Sequence, residues 1–169
     1  MGKKLPIDLD AIDARILDLV QHDAGLSVAE IAEQVGLSSS PCWRRIKRLE
    51  EQGVITKRVT LLNPEALRLD FQVYASVKLT LPTRENLEFF ERAVEDMPEV
   101  VECATVTGAV DYILKVITSD MRAYDEFLRT RILGTGLVSD VQSRIVIRNI
   151  KSTTALPLNL VSPYVRATS

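Results

Sequence analysis

The sequence predicts an α+β protein in two parts, a short helical part followed by a mixed part of strands and helices. Three observations predict it. Apolar residues recur at helical spacing up to about residue 52 and are punctuated by Gly36 and Gly53. Basic side chains crowd into residues 42–58. From Phe71 onward, alternating segments and helical-period segments succeed one another in the order βαββαβ.

The helical part reads as three helices. Leu9, Ile12, Ile16, Leu19 and Val20 share one face of the first, with Asp8 or Asp10 placed to cap its start. The second is short: Ser27 and Glu30 have capping-box spacing, Val28, Ile31, Ala32 and Val35 lie on one side, and Gly36 stands where the chain needs a positive φ. Ser38 or Ser39 caps the third, Pro41 sits in its first turn, where the missing N–H breaks no helical bond, and Gly53 ends it. Cys42, Ile46 and Leu49 form its inward stripe, leaving Trp43, Arg44, Lys47 and Arg48 on other faces. Three helices, a tight turn before the third and a basic outer face on it make a helix-turn-helix. "VITKRVTLLNP" then reads as a wing or linker strand closed by the Asn63-Pro64 turn.

In the second part "FQVYASVKLTL" alternates, with Val73, Ala75, Val77 and Leu79 on one face. A helix capped by Thr83 carries Leu87, Phe90, Val94 and Met97. The strands "VVECATV" and "DYILKVIT" are joined through "TGAV"; a helix around "MRAYDEFLRTRI" and a closing strand "DVQSRIVIRNI" complete the set. This is the ferredoxin-like split βαβ arrangement. Two helices cover only one face of four strands, so Tyr74, Val106, Leu114 and Val146 are candidates for an apolar surface on the other, through which this part dimerises. The expected domains are residues 1–62, the winged helix-turn-helix with its linker strand, residues 63–160, the ferredoxin-like domain, and a tail at 161–169.

Charge and composition narrow the function. Across 169 residues, 21 Lys+Arg against 23 Asp+Glu leave a formal charge of −2, which alone argues against nucleic acid. The distribution argues the other way: residues 1–35 carry three basic and seven acidic side chains, net −4, and residues 42–58 carry six basic and two acidic, net +4. No apolar run approaches the roughly 18 residues of a membrane span, and the start lacks a signal-peptide core, so the expected location is the cytoplasm. Cys42 and Cys103 have no CxxC spacing and His22 is the sole histidine, leaving no material for a zinc site, a disulfide framework or a histidine-based triad. No nucleotide fingerprint or nucleophile-base spacing is visible; catalytic residues, metals and cofactors are expected to be absent.

The basic run has the chemistry double-stranded DNA needs. Arg and Lys neutralise phosphates, Arg also pairs with guanine, and serines at a helix start offer donors where the dipole favours an anion. The expected DNA-contacting set is Ser38, Ser39, Ser40, Trp43, Arg44, Arg45, Lys47, Arg48 and Lys57. Arg45 either joins it or folds back onto a carboxylate such as Glu50. Trp43 either packs on the sugar-phosphate backbone or lies against the second helix. Cys42 reads as a small buried side chain.

"LSSSPCWRRIKRLEEQGVI", "LLNPEALRL" and "VTGAVDYILKV", in that order across residues 8 to 157, resemble the leucine-responsive/asparagine-regulator (Lrp/AsnC) family of transcription regulators. The resemblance implies a homodimer that binds pseudo-palindromic DNA, assembles to tetramers or octamers, and senses a free amino acid. "TGAVDY" read alone is a hairpin connection, with Gly108 permitting the turn and Asp111 satisfying its amides. By the resemblance it is the family's Gly-x-x-Asp loop, near which effectors bind between subunits. An α-carboxylate would meet amides beside Gly108 and an α-ammonium would meet Asp111. The effector set so implied is Thr107, Gly108, Val110, Asp111 and Tyr112; Ser139 and Gln142 of the last strand add polar groups to it, or are solvent-facing strand residues. Ala109-Val110 departs from the acidic or aromatic residue common there, so the side-chain pocket is not carried over. Pro-Cys-Trp and "STTALPL" look most like members that respond to sulfur or other small amino acids.

Overall fold

A computed structural model describes residues 8–161. The first residues and most of the expected tail, from 162 on, lie outside the described residues. The chain divides into two compact units, one made of the residues up to Leu61 together with those from Lys151 onward, the other of Leu62–Ile150.

In the first unit α1 spans Ala11–His22, α2 Val28–Val35 and α3 Ser39–Glu51. Local chemistry sets their ends. Asp10 and Asp13 form a capping box on α1, as Ser27 and Glu30 do on α2, so orphan amides of both first turns are satisfied. Gly36 stops α2 at φ 72°, and Gly53 follows α3 at φ 71°, a region that costs any side chain about 1 kcal/mol or more. Ser38 is the N-cap of α3, and its hydroxyl makes no capping bond. Ile16, Ile31, Cys42, Ile46 and Leu49 are fully or almost fully buried together, each aliphatic side chain contributing about 1.5–3 kcal/mol. Leu158 packs against this core, and Gln21 exchanges two hydrogen bonds with Leu156, its Nε2 donating to the carbonyl (3.3 Å) and its Oε1 accepting from the amide (2.9 Å). Residues 151–160, assigned from the sequence to the second domain, therefore return to the helical unit.

The expected wing strand is not formed. Residues 56–63 are exposed and have no ladder partner among the described residues; the Asn63 carboxamide caps a single turn at 64–68 that ends with Arg68 at φ 56°. Lone apolar residues such as Val59, Leu61 and Leu62 do not make a strand without a neighbour to supply hydrogen bonds.

The second unit is β1 (Phe71–Leu79), α4 (Arg84–Glu95), β2 (Val100–Thr105), β3 (Tyr112–Thr118), α5 (Met121–Phe127) and β4 (Val138–Ile145). α5 is shorter than expected because the chain continues as one wide π turn at Leu128–Ile132. β4 begins two residues earlier than expected and ends at Ile145, beyond which the Val146 amide still donates to the Gln72 carbonyl of β1 and the Asn149 side-chain amide to the Gln72 Oε1. All pairings are antiparallel in the order β2-β3-β1-β4, the ferredoxin-like topology. Val73, Ala75, Val77 and Leu79 meet Tyr112, Leu114 and Val116 on the helix side, where Phe90, Val94, Tyr124, Phe127 and Ile132 close the core. Leu114 is thus a core residue and not part of the open face. Ile113, not Leu114, alternates outward beside Tyr74.

Candidate functional site

The basic run folds as expected onto α3, but its charges divide. At 100° per residue, Ser40, Trp43, Arg44 and Lys47 share one face, opposite the buried Cys42, Ile46 and Leu49. Trp43 is 52% exposed, which sets aside packing against α2. Arg44 has no ion pair among the described residues, and neither has Lys57. Lys47 reaches Glu50 at 3.4 Å on the surface, a contact of small worth that DNA can displace. Ser38, Ser39 and Ser40 are exposed at the start of α3, where unpaired amides and the helix dipole attract an anion.

Arg45 and Arg48 point elsewhere. Arg45 Nη1 donates to Asp10 Oδ2 at 2.7 Å and to Asp13 Oδ1 at 2.8 Å, while Arg48 Nη2 donates to Asp13 Oδ2. Of the two readings of Arg45 the fold-back is the one the structure shows, though onto α1; Glu50 is taken instead by Lys47 and Arg58. The hydrogen bonds it donates to the Asp10 and Asp13 side chains hold the Arg45 guanidinium above its usual range, more firmly charged. Burial raises the Cys42 thiol, offset in part by Arg45, so Cys42 is an inert core side chain.

The second candidate region lies at one end of the sheet, where β1 ends and β3 and β4 begin. Gly108 sits at φ 125° in the loop before β3, and a Cβ added there would meet nothing within 4 Å; its glycine answers a backbone conformation and not a lack of room. Asp111 is tied into the sheet. Its amide donates to the Val77 carbonyl (2.9 Å), its carbonyl accepts from Val106 (3.0 Å), and its Oδ2 accepts the Leu79 amide (2.7 Å). On the other side of β1, Ser139 donates to the Lys78 carbonyl (3.1 Å), and Gln142 is paired with Ser76 on the open face. Thr107 is exposed and Val110 half-buried in the same loop.

Tyr112 departs from this group. Its ring is fully buried on the helix side, 4.8 Å from Phe90, and its hydroxyl donates to Glu91 (3.0 Å). Desolvation, with Glu91 adding to it, pushes the phenol far above its ordinary value, so it stays protonated as a core donor. A residue that sequence reasoning missed is Arg144, whose Nη1 donates to the buried Ser76 hydroxyl at 2.6 Å on the open face. The alternation of β1 was the available signal, since it sends Ser76 to the open face. Among the described residues no group of three His, Cys, Asp or Glu is placed to hold a metal ion, and no helix is long and apolar enough to cross a membrane.

Both units match known families at the places the geometry picks out. Residues 9–56 match a winged helix-turn-helix DNA-binding family, and residues 72–156 match the Lrp/AsnC ligand binding domain. The chain belongs to the Lrp/AsnC family. It is 38% identical over 150 residues to the DNA-binding transcriptional activator DecR of Escherichia coli, covering 89% of this chain and 99% of that one. It is 40% identical over 146 residues to a proline dehydrogenase transcriptional activator of Rhizobium radiobacter, covering 86% and 94%. Among solved structures, a transcriptional regulator of Neisseria meningitidis in complex with L-Met superposes with a TM-score of 0.88 at 37% identity, covering 92% of this chain and all of that one. Like other Lrp/AsnC members, the chain is a DNA-binding transcription regulator that joins a helix-turn-helix to a ligand-binding domain.

Proposed function

We propose that this regulator reads double-stranded DNA with the outer face of α3 and changes its DNA affinity when a free amino acid binds its second unit. The carrying observation is that Ser40, Trp43, Arg44 and Lys47 form one exposed face, at one edge of which the Arg44 guanidinium stands unencumbered. Ser38, Ser39 and Lys57 flank that face and suit phosphate contacts, while Arg44 suits a base edge.

An amino-acid effector is supported by the match to the family's ligand-binding domain and by the L-Met complex of the Neisseria relative. Thr107, the amides around Gly108, Val110, Asp111, Ser139 and Gln142 are its candidate contacts in a homodimer or larger assembly. The open sheet face, carrying Tyr74 and Ile113 among polar side chains, is the surface on which a second copy fits. A dimer calls for pseudo-palindromic DNA with half-sites about one helical turn, or a multiple of it, apart. This is the work of a cytoplasmic protein.

The effector acts only if it binds two arrangements of the protein unequally; a coupling of roughly 1–3 kcal/mol changes DNA affinity about 5- to 150-fold. The test is calorimetric screening of the amino acids on the full-length protein, with footprinting on genomic DNA with and without each hit and light scattering alongside. Two protected half-sites, a species no smaller than a dimer and an affinity change by at least one amino acid are the expected results. A monomer that protects a single half-site and ignores every amino acid would overturn the reading.

A further inference from the structure

We infer that Asp13 is a positioning residue for DNA reading, which clamps α3 at one azimuth through Arg45 and Arg48 and withdraws those two cations from the phosphates. The inference rests on the outer face of α3 being the DNA face. Asp13 lies on α1 and is 1% exposed. Both of its oxygens are engaged, Oδ1 by Arg45 and Oδ2 by Arg48 and the Asp10 amide. Asp10 accepts from the same Arg45 nitrogen, Nη1.

A carboxylate removed from water needs such pairing, yet pairing of this kind is a poor source of stability, because well-packed apolar residues of like volume do as well or better. Specificity is the better account of it. Arg45 and Arg48 are three residues apart, so one carboxylate holds two points along α3 and opposes rotation about the helix axis. Side chains reach about 5–6 Å from a helix axis, so a turn of roughly 20° would carry the Arg44 head by about 2 Å, enough to lose a bidentate pair with a base. Arg48 starts beside Lys47 and remains 44% exposed, so once released it would reach a phosphate without regard to sequence.

The experiment uses the full-length protein and two probes, the tightest duplex selected from a random-sequence library and a scrambled duplex of equal length, over a salt titration. Asp13→Asn should lower the selected-to-scrambled affinity ratio about tenfold and steepen the salt slope on the scrambled duplex by about one unit. Arg48→Gln alone should lower the ratio without changing that slope, and combined with Asp13→Asn it should remove the added slope. A folded Asp13→Asn variant with unchanged ratio and slope overturns the inference. So does Arg48→Gln if it makes the slope shallower by about one unit, which marks a phosphate contact, or if it leaves both quantities unchanged. Should Asp13→Asn not fold, Arg48→Gln decides by the same criteria. Arg44→Ala is measured in parallel: weaker binding there with a silent Asp13→Asn refutes the clamp alone, whereas a silent Arg44→Ala refutes the DNA face itself.

Discussion

Removing the Asp111 carboxylate should unpin the end of the central strand β1. Asp111→Ala keeps the two backbone bonds to Val77 and Val106 but deletes the acceptor of the Leu79 amide. Leu79 is 2% exposed, so water does not replace the lost partner. A hydrogen bond to a charged group contributes about 1.5–3 kcal/mol, and an orphaned buried donor costs about 1–3, so a loss of about 2 kcal/mol is expected. For a unit of the size of Leu62–Ile150, at about 4–8 °C per kcal/mol, the melting temperature should fall by about 8–16 °C. Asp111→Asn retains a carbonyl acceptor and should lose about 1 kcal/mol or less. Thermal melts of the full-length variants, with hydrogen exchange at the Leu79 amide, measure both. The asparagine variant then separates architecture from ligand: it should keep the strand end and still lose binding of an amino-acid ammonium by calorimetry. An alanine variant that melts within about 2 °C of wild type, with Leu79 still protected, would refute the pin.

Arg44→Ala and Lys47→Ala should each weaken DNA binding without lowering the melting temperature, since neither touches the Cys42, Ile46 and Leu49 core; a lost base contact costs about 1–3 kcal/mol and a lost phosphate contact makes the salt slope shallower by roughly one unit. Arg68→Gly should raise the denaturant midpoint by the equivalent of about 0.5–1 kcal/mol, because it relieves a side chain at φ 56° on an exposed turn. Acid should loosen the tie between α1 and α3. Desolvation pushes the Asp10 carboxyl up, but the Asp13 amide and Arg45 outweigh it and hold the group below its ordinary 3.8. A depressed carboxyl stabilises fully above its unfolded value and loses that contribution as pH falls through the folded one, so the stability of wild type relative to Asp10→Asn should be constant above about pH 5 and shrink below about pH 4, as followed by circular dichroism of the helices.

Much of the local structure was legible because it depends on residues a few positions apart. Ser27 with Glu30, Thr83 with Asn86, and Gly36 at positive φ settle helix ends from within one turn, and they stand where the spacing puts them. The period of Cys42, Ile46 and Leu49 told the buried side of α3 from the side that carries Arg44 and Lys47. Parity was less informative in β3, where Ile113 and Ile117 alternate with Leu114 and Val116 and both faces read as apolar. Only the helices packed on one side decide that Leu114 is covered and Ile113 is not.

By itself the sequence determined the order of the helices α1–α5 and the sheet strands β1–β4, the split between a helical and a mixed part, and the concentration of positive charge on α3. The tertiary structure decided which charges are free. Arg45 and Arg48 look like Arg44 and Lys47 in the chain, and they are set apart by Asp10 and Asp13, 32 to 35 residues earlier. The Asp111 carboxylate finds its amide at Leu79, 32 residues back, and Leu156 finds Gln21 across 135 residues. Spacing and capping act within a turn or two, so a linear pattern carries them. Such distant pairs arise only when packing apolar surface brings far-apart segments within about 3 Å, and no local pattern records which segments those will be.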